Sequence, residues 1–192
     1  MRKVIIRVQF LSLTDVTGRP LMIEHRLIER MISALNKEGK RIEQGGTPNA
    51  HFNDAAIDFL RVYADRCHHG KEEDILFTKL ATKSMAPSMR QAMERLKEEH
   101  ALARGLVGQL EQHNLHFRSG DATAAKGIAR TLSEITRLYP DHIAREDKEF
   151  FPTAMTYLEK GERDEMLQAF DAFDKKLIHD KYKAVVEGVE KR

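Results

Sequence analysis

Two stretches decide the fold: HHGKEEDILF, residues 68–77, and HIAREDKEFF, residues 142–151. Each has a His, a Glu four residues later and a Phe five residues after that Glu, and the two lie 74 residues apart (68 to 142). Single histidines repeat at nearly the same offset: His25 in IEHRLIERM and His100 in EEHALARGL stand 75 residues apart (25 to 100). The chain therefore reads as two helical hairpins, each carrying His … His-x-x-x-Glu. Identity between the halves is otherwise low, so what repeats is a set of ligand-type residues.

The spacing has a chemical reason. Residues i and i+4 share one helix face, about 5–6 Å apart at Cβ. A His and a Glu so placed can reach one metal site. Imidazole binds iron, copper or zinc, and a carboxylate can bridge two metals and balance their charge. Four His and two Glu leave positions open on a metal pair, which lets a small molecule bind.

Helical phase separates the adjacent histidines. His68 is in line with Ile57, Leu60 and Ala64 behind it and Ile75 and Leu76 ahead, a core stripe. His69 is in line with Asp58, Arg61, Asp65 and Glu73, a stripe expected to face water. The predicted pair is thus His68 with Glu72, and the matching pair is His142 with Glu146, since His142 follows Ile135 and Leu138. His25 shares a face with Met22, Ile28 and Ile32, and His100 with Met93, Leu96 and Val107.

The surrounding pattern is helical. Pro20 suits a first turn, and Leu21, Ile28, Met31, Ile32 and Leu35 follow at helical spacing with Gly39 as the expected stop. GKRIEQGGTPNAH reads as a loop, with Asn53 as the expected cap of a second helix over 54–82. Pro87 opens a third helix running to about Asn114. A fourth starts near Asp121, contains Pro140 and is expected to end before Pro152. A fifth, about 162–188, carries Met166, Leu167, Phe170, Phe173 and Leu177 on one side, a docking stripe. The expectation is an all-α chain: residues 1–18 as a short N-terminal arm, 19–158 as an up-down four-helix bundle, and 159–192 as an additional C-terminal helix.

Composition narrows the classes. The 192 residues are 41% hydrophobic and 32% charged, which excludes general disorder and fits a soluble helical protein. A net charge of +2 with acids and bases intermixed gives no clustered basic patch for nucleic acid. No apolar run is long enough for a membrane span. The opening MRKVIIRVQFLSL is interrupted by Arg7 and Gln9 and lacks a small-residue cleavage site. With one cysteine, Cys67, no internal disulfide forms, and the expected location is cytoplasmic.

The segments LMIEHRLIERM, CHHGKEEDILF and HIAREDKEFFP closely resemble the motifs of the hemerythrin-like (HHE cation-binding) domain family, over about residues 20–152. The resemblance implies a four-helix bundle around a non-haem di-iron centre: two iron ions, carboxylates bridging them, and a bridging oxo or hydroxo group. It implies His25, His68, Glu72, His100, His142 and Glu146 as ligands. His25 is expected to share one iron with His142, and His68 the other with His100. It also implies reactivity toward oxygen, nitric oxide or peroxide as the small partner. Invertebrate oxygen carriers of the family use a second His on the third helix; here the positions four residues either side of His100 are Leu96 and Arg104.

The function that follows is a non-haem di-iron protein that binds, senses or detoxifies small oxidants, with or without turnover. The alternative is an iron-dependent regulatory or iron–sulfur-centre repair protein without turnover of its own. The remaining candidates are expected to be structural. His51 belongs to a loop, His113 and His116 to the far side of the third helix, and His179 to the surface. Cys67 and Tyr139 are expected in the core and Glu73 in water.

Overall fold

The computed structural model describes residues 18–175 and 178–191, and every regular element in them is a helix. The expected N-terminal arm and Leu177 of the last stripe lie outside the described residues. α1 is Arg19–Glu43, with Pro20 in its first turn, where a missing N–H costs nothing. It runs straight through Gly39, the expected stop, which lies inside the helix facing Leu132. The chain turns instead at Gly45, whose φ of +91° suits glycine.

α2 covers residues 50–81 and changes winding along its length: Ala50–Phe59 is α-helical, Leu60–His69 and Glu72–Phe77 are π-helical, and Thr78–Ala81 closes it. Its cap is Asn49, whose side chain accepts from Phe52 N at 3.1 Å. Asn53, the expected cap, is buried inside the helix and donates to Asn114 Oδ1 at 3.0 Å. α3 is Pro87–Arg118, one turn longer than expected.

α4 covers residues 124–157, with Pro140 inside its first segment, Ala124–Arg145, and a π stretch at Glu146–Phe150. Pro152 does not end it. The proline falls in the first turn of the next α segment, Phe151–Ala154, where its missing donor is tolerated. The single helix expected over 162–188 is two helices, α5 (Lys160–Asp174) and α6 (Ile178–Glu190).

Neighbouring helices meet in opposite order along the chain. Glu38, late in α1, accepts from Asn49 N at the start of α2, and His25, early in α1, meets His68, late in α2. Asp54 of α2 meets Arg118 at the end of α3, and Asp65 meets Arg104 further back along it. His113 of α3 packs on Gly127 of α4, while Glu99 meets Arg145. Gly39 of α1 faces Leu132, and His25 faces Asp147.

The buried residues form two apolar clusters with a polar layer between them. One cluster gathers Ile28 to Ile42, Phe52 to Ala64, Ala103 to Leu110 and Ile128 to Ile143, with Tyr182 and Val186 of α6. The other gathers Leu21, Leu76 to Leu80, Met85 to Leu96 and Phe150 to Leu158, with Met166 and Phe170 of α5. His25, His68 to Glu72, His100 and His142 to Glu146 fall in the gap on each of the four long helices. Burying so many polar groups is costly unless they are partnered.

Candidate metal centre

Both His-x-x-x-Glu pairs adjoin π-helical winding. His68 lies next to the end of one π stretch, which His69 closes, and Glu72 opens the next; His142 is in the α segment before Glu146, which opens the π stretch of α4. Hydrogen bonds to residue i−5 instead of i−4 widen the turn, and such stretches gather at functional sites. Here they bring the pairs inward together. They also undo the α-helical phase used for His69. That residue, expected in water, is 1% exposed, its ring stacked on His100 with centroids 3.9 Å apart.

All six predicted ligands are buried in one layer. Their potential donor atoms form two groups, each within 4.8 Å: His25, His68, Glu72 and Glu146 in one, His69, His100 and His142 in the other. His25 therefore lies with His68, and His100 with His142, contrary to the expected pairing of His25 with His142 and His68 with His100. The two halves of the repeat sit side by side, so the histidines within a half are neighbours. Each Glu reaches both groups. Glu72 lies 3.8 Å from His68 Nε2 and 3.3 Å from His100 Nε2. Glu146 lies 3.1 Å from His25 Nε2, 3.3 Å from His142 Nε2 and 3.6 Å from His100 Nε2.

The outer edge of each ring is equally organised. His25 Nδ1 meets Asp147 at 2.7 Å, His68 Nδ1 meets Glu24 at 2.8 Å, His100 Nδ1 meets Glu73 at 2.7 Å and His142 Nδ1 meets Glu99 at 3.0 Å. Each carboxylate is held in turn by a cation: Asp147 by Arg26, Glu24 by Lys71, Glu73 by Arg104 and Glu99 by Arg145. An ionised carboxylate only accepts, so every Nδ1 carries a proton, and each ring, once neutral, turns the lone pair of Nε2 inward; in the metal-free chain burial lowers the His25 imidazole but Asp147 and Glu146 outweigh it and raise it to about 9. That is the tautomer a metal requires, set by the partner of the other nitrogen.

Six side-chain atoms at the centre have no hydrogen-bond partner: both carboxylate oxygens of Glu72 and of Glu146, and Nε2 of His100 and His142. On the other side, His25 Nε2 and His68 Nε2 lie within hydrogen-bond distance of each other, at 2.9 Å. Orphaned acceptors in a sealed interior are what a bound cation resolves. The donor set, imidazole and carboxylate without thiolate, suits iron.

Protonation in the metal-free chain follows the same crowding. Burial, reinforced by the facing Glu146, raises the Glu72 carboxyl well above the usual range. Burial acts on Glu146 in the same sense, but His142, His100 and His25 outweigh it and hold that carboxyl well below. Burial, and then neighbouring His25, holds the His68 imidazole down at about 4.

Several residues read as bystanders belong to the centre. Glu73, expected in water, orients His100. His179, expected on the surface, is half-buried and takes part in a hydrogen bond with the Tyr63 hydroxyl at 3.0 Å. The outer carboxylates had a signal in the sequence: the repeat extends to them. Glu24 and Glu99 each precede the single His, Glu73 and Asp147 each follow the ligand Glu, and Lys71 and Arg145 each precede it. Cys67 is buried, as expected, and donates to Asp174 Oδ1 at 3.3 Å. His51 is exposed but lies in the first turn of α2, not in a loop.

A cavity of about 240 Å³ opens beside the centre, between Leu60, Arg61, Asp65, Ala103, Arg104 and Tyr139, and ends on His69. A larger cleft of about 860 Å³, between Met89, Arg95, Phe150 and Tyr157, is lined by none of the six predicted ligands. Among the described residues no helix is long and apolar enough to cross a membrane. Compared with known proteins, residues 19–154 match the family model described as the hemerythrin HHE cation binding domain. No curated protein and no solved structure matches the chain.

Proposed function

The chain belongs to the hemerythrin HHE cation-binding domain family, and from that premise we propose that it is a non-haem di-iron protein acting on small oxidants. The observation that carries this reading is the set of six buried donor atoms without partners, converging between four helices. His25 and His68 would hold one iron, His100 and His142 the other, and Glu72 and Glu146, each near both histidine groups, would be shared between them. We read the four long helices as an up-down bundle, supported by the opposite order of contacts between neighbours.

Four imidazole nitrogens and two oxygens from each Glu make eight donors at most, fewer than two six-coordinate ions take. When bound, the iron pair supplies open positions and redox capacity. The protein fixes each imidazole through its outer carboxylate, keeps bulk water out with two apolar clusters, and leaves the narrow approach past Tyr139 and Arg104. His69, buried against His100 and within reach of the same group, would supply a further imidazole for the second iron. A cavity of about 240 Å³ that reaches His69 has room for oxygen, nitric oxide or peroxide, which supports the oxidant reading.

Anaerobic titration of nitric oxide into the ferrous protein tests this. New visible absorption proportional to bound iron is expected. Iron-loaded protein that stays silent toward nitric oxide, oxygen and peroxide contains a closed, structural centre and contradicts the reading. Peroxide consumed in molar excess over protein identifies a catalyst; saturation identifies a binder or sensor.

A further inference from the structure

The repeat sets Lys71 and Arg145 at equivalent positions, each holding the carboxylate that orients a ligand histidine. Their surroundings differ. The Arg145 side chain is 24% exposed and reaches the surface, although its Nε is buried without a partner. The Lys71 side chain is 0% exposed. A buried ammonium needs carboxylates on more than one side, because no water offsets its desolvation. One carboxylate is Glu24. The other comes from outside the family-matched region: Asp174, the last residue of α5, accepts from Lys71 Nζ with both oxygens, at 2.7 and 2.8 Å.

Glu24 is divided between two tasks. One oxygen holds Lys71 and the other meets His68 Nδ1. His179 of α6 closes the network, with Nε2 3.0 Å from Asp174 and 3.4 Å from Glu24. While Asp174 neutralises the far side of Lys71, Glu24 is free to hold the imidazole. Without it the ammonium has Glu24 as its one remaining carboxylate among the described residues and draws it from the ring.

Resting on the di-iron reading, we propose that Asp174 is a positioning residue for His68, acting through Lys71 and Glu24. The C-terminal helices are then part of the metal centre and control one of its two ends. Asp174 is not what docks α5: Met166 and Phe170 bury its apolar face, and Glu162 pairs with Lys83. A change at Asp174 is therefore read at the metal and not through loss of the helix.

The test uses the full chain loaded anaerobically with ferrous ⁵⁷Fe. Chelator-release kinetics and Mössbauer spectra are compared for wild type, Asp174→Asn, Asp174→Glu and Glu162→Gln. In Asp174→Asn one of the two irons is expected to be held about 10- to 100-fold more weakly, as for other outer partners of ligand histidines. Only one of the two iron signals should change. Asp174→Glu should restore much of the difference, and Glu162→Gln should leave both irons as in wild type. If Asp174→Asn does not fold, Asp174→Ser, which keeps Lys71 and leaves space for water beside its Nζ, is the second variant and should show the same one-sided loss. Two irons released as in wild type from the Asp174 variants, or both weakened equally, overturns the proposal while leaving the di-iron reading intact. Wild-type protein that binds no iron overturns both.

Discussion

In the second half of the repeat His142 rests on Glu99 and Glu99 on Arg145, at the protein surface. In the first half His68 rests on Glu24 and Glu24 on Lys71, which water does not reach. The ligands, the outer carboxylates and the cation positions are the same in both. What differs is how the outermost charge is satisfied. Exposed cations use solvent and belong to the bundle alone. A buried cation draws in a carboxylate a hundred residues away, and with it the C-terminal helices. Duplicated ligand sets can thus present two chemically similar metal positions that respond differently to change elsewhere in the fold.

The comparison breaks most completely where its halves are joined. Glu72 and Glu146 each touch both histidine groups, so a Glu72→Ala, Glu146→Ala double variant should lose both metals, whichever half is better supported. Metal analysis of that variant should give a ratio near zero; retention of one metal shows that the halves bind independently and that the bridging assignment is wrong.

The outer cations sharpen the contrast. Lys71→Ala leaves Glu24 and Asp174 facing each other in the interior and should destabilise the fold by about 3–5 kcal/mol, as when one partner of a buried pair is removed. Arg145→Ala at the equivalent position should cost about 1 kcal/mol or less, because its partner keeps access to water and to Arg95. Denaturant unfolding of both variants measures the difference, and equal costs erase the distinction drawn here.

Metal removal acts on both halves at once. Inward lone pairs and carboxylates lose their common partner, so metal-free protein should melt several degrees below the metal-loaded form. Coincident thermal curves argue against a buried centre. The smallest effect concerns the two adjacent histidines. His68→Ala should remove one metal, whereas His69→Ala should weaken the metal on the His100 side by about tenfold, the lower end for a group bearing on a metal site. Unchanged binding in His69→Ala would reduce that ring to packing against His100.

The π-helical stretches explain what the sequence reading reached and missed. The convergence of the six candidate ligands was legible because a four-residue spacing repeated 74 residues apart is a strong signal, and neither winding changes which residues carry it. The orientation of His69 was not legible: a shift from i−4 to i−5 bonding leaves no mark in apolar periodicity. The continuation through Pro152 was hidden for a related reason, since a proline reads as a stop unless a new segment begins just before it. Gly39 read as a terminator, but it lies inside α1 facing Leu132 of α4, and helix packing carries the chain past it. Asn49 and Asn53 compete for one cap on local grounds, and the partner Asn114 on α3 decides between them. Glu73 read as solvated charge, and Glu24, Glu99 and Asp147 lay within the repeat without being singled out, because only the rings beside them give them a role. Lys71 gave the least warning, because its burial depends on Asp174.

The central claim is that this interior holds two metal ions. Elemental analysis of full-length protein produced with iron available, purified without chelators, tests it most directly. The account predicts a metal-to-chain ratio near two, mostly iron, falling to near one in His68→Ala. A ratio near zero in protein whose histidines are intact would contradict it.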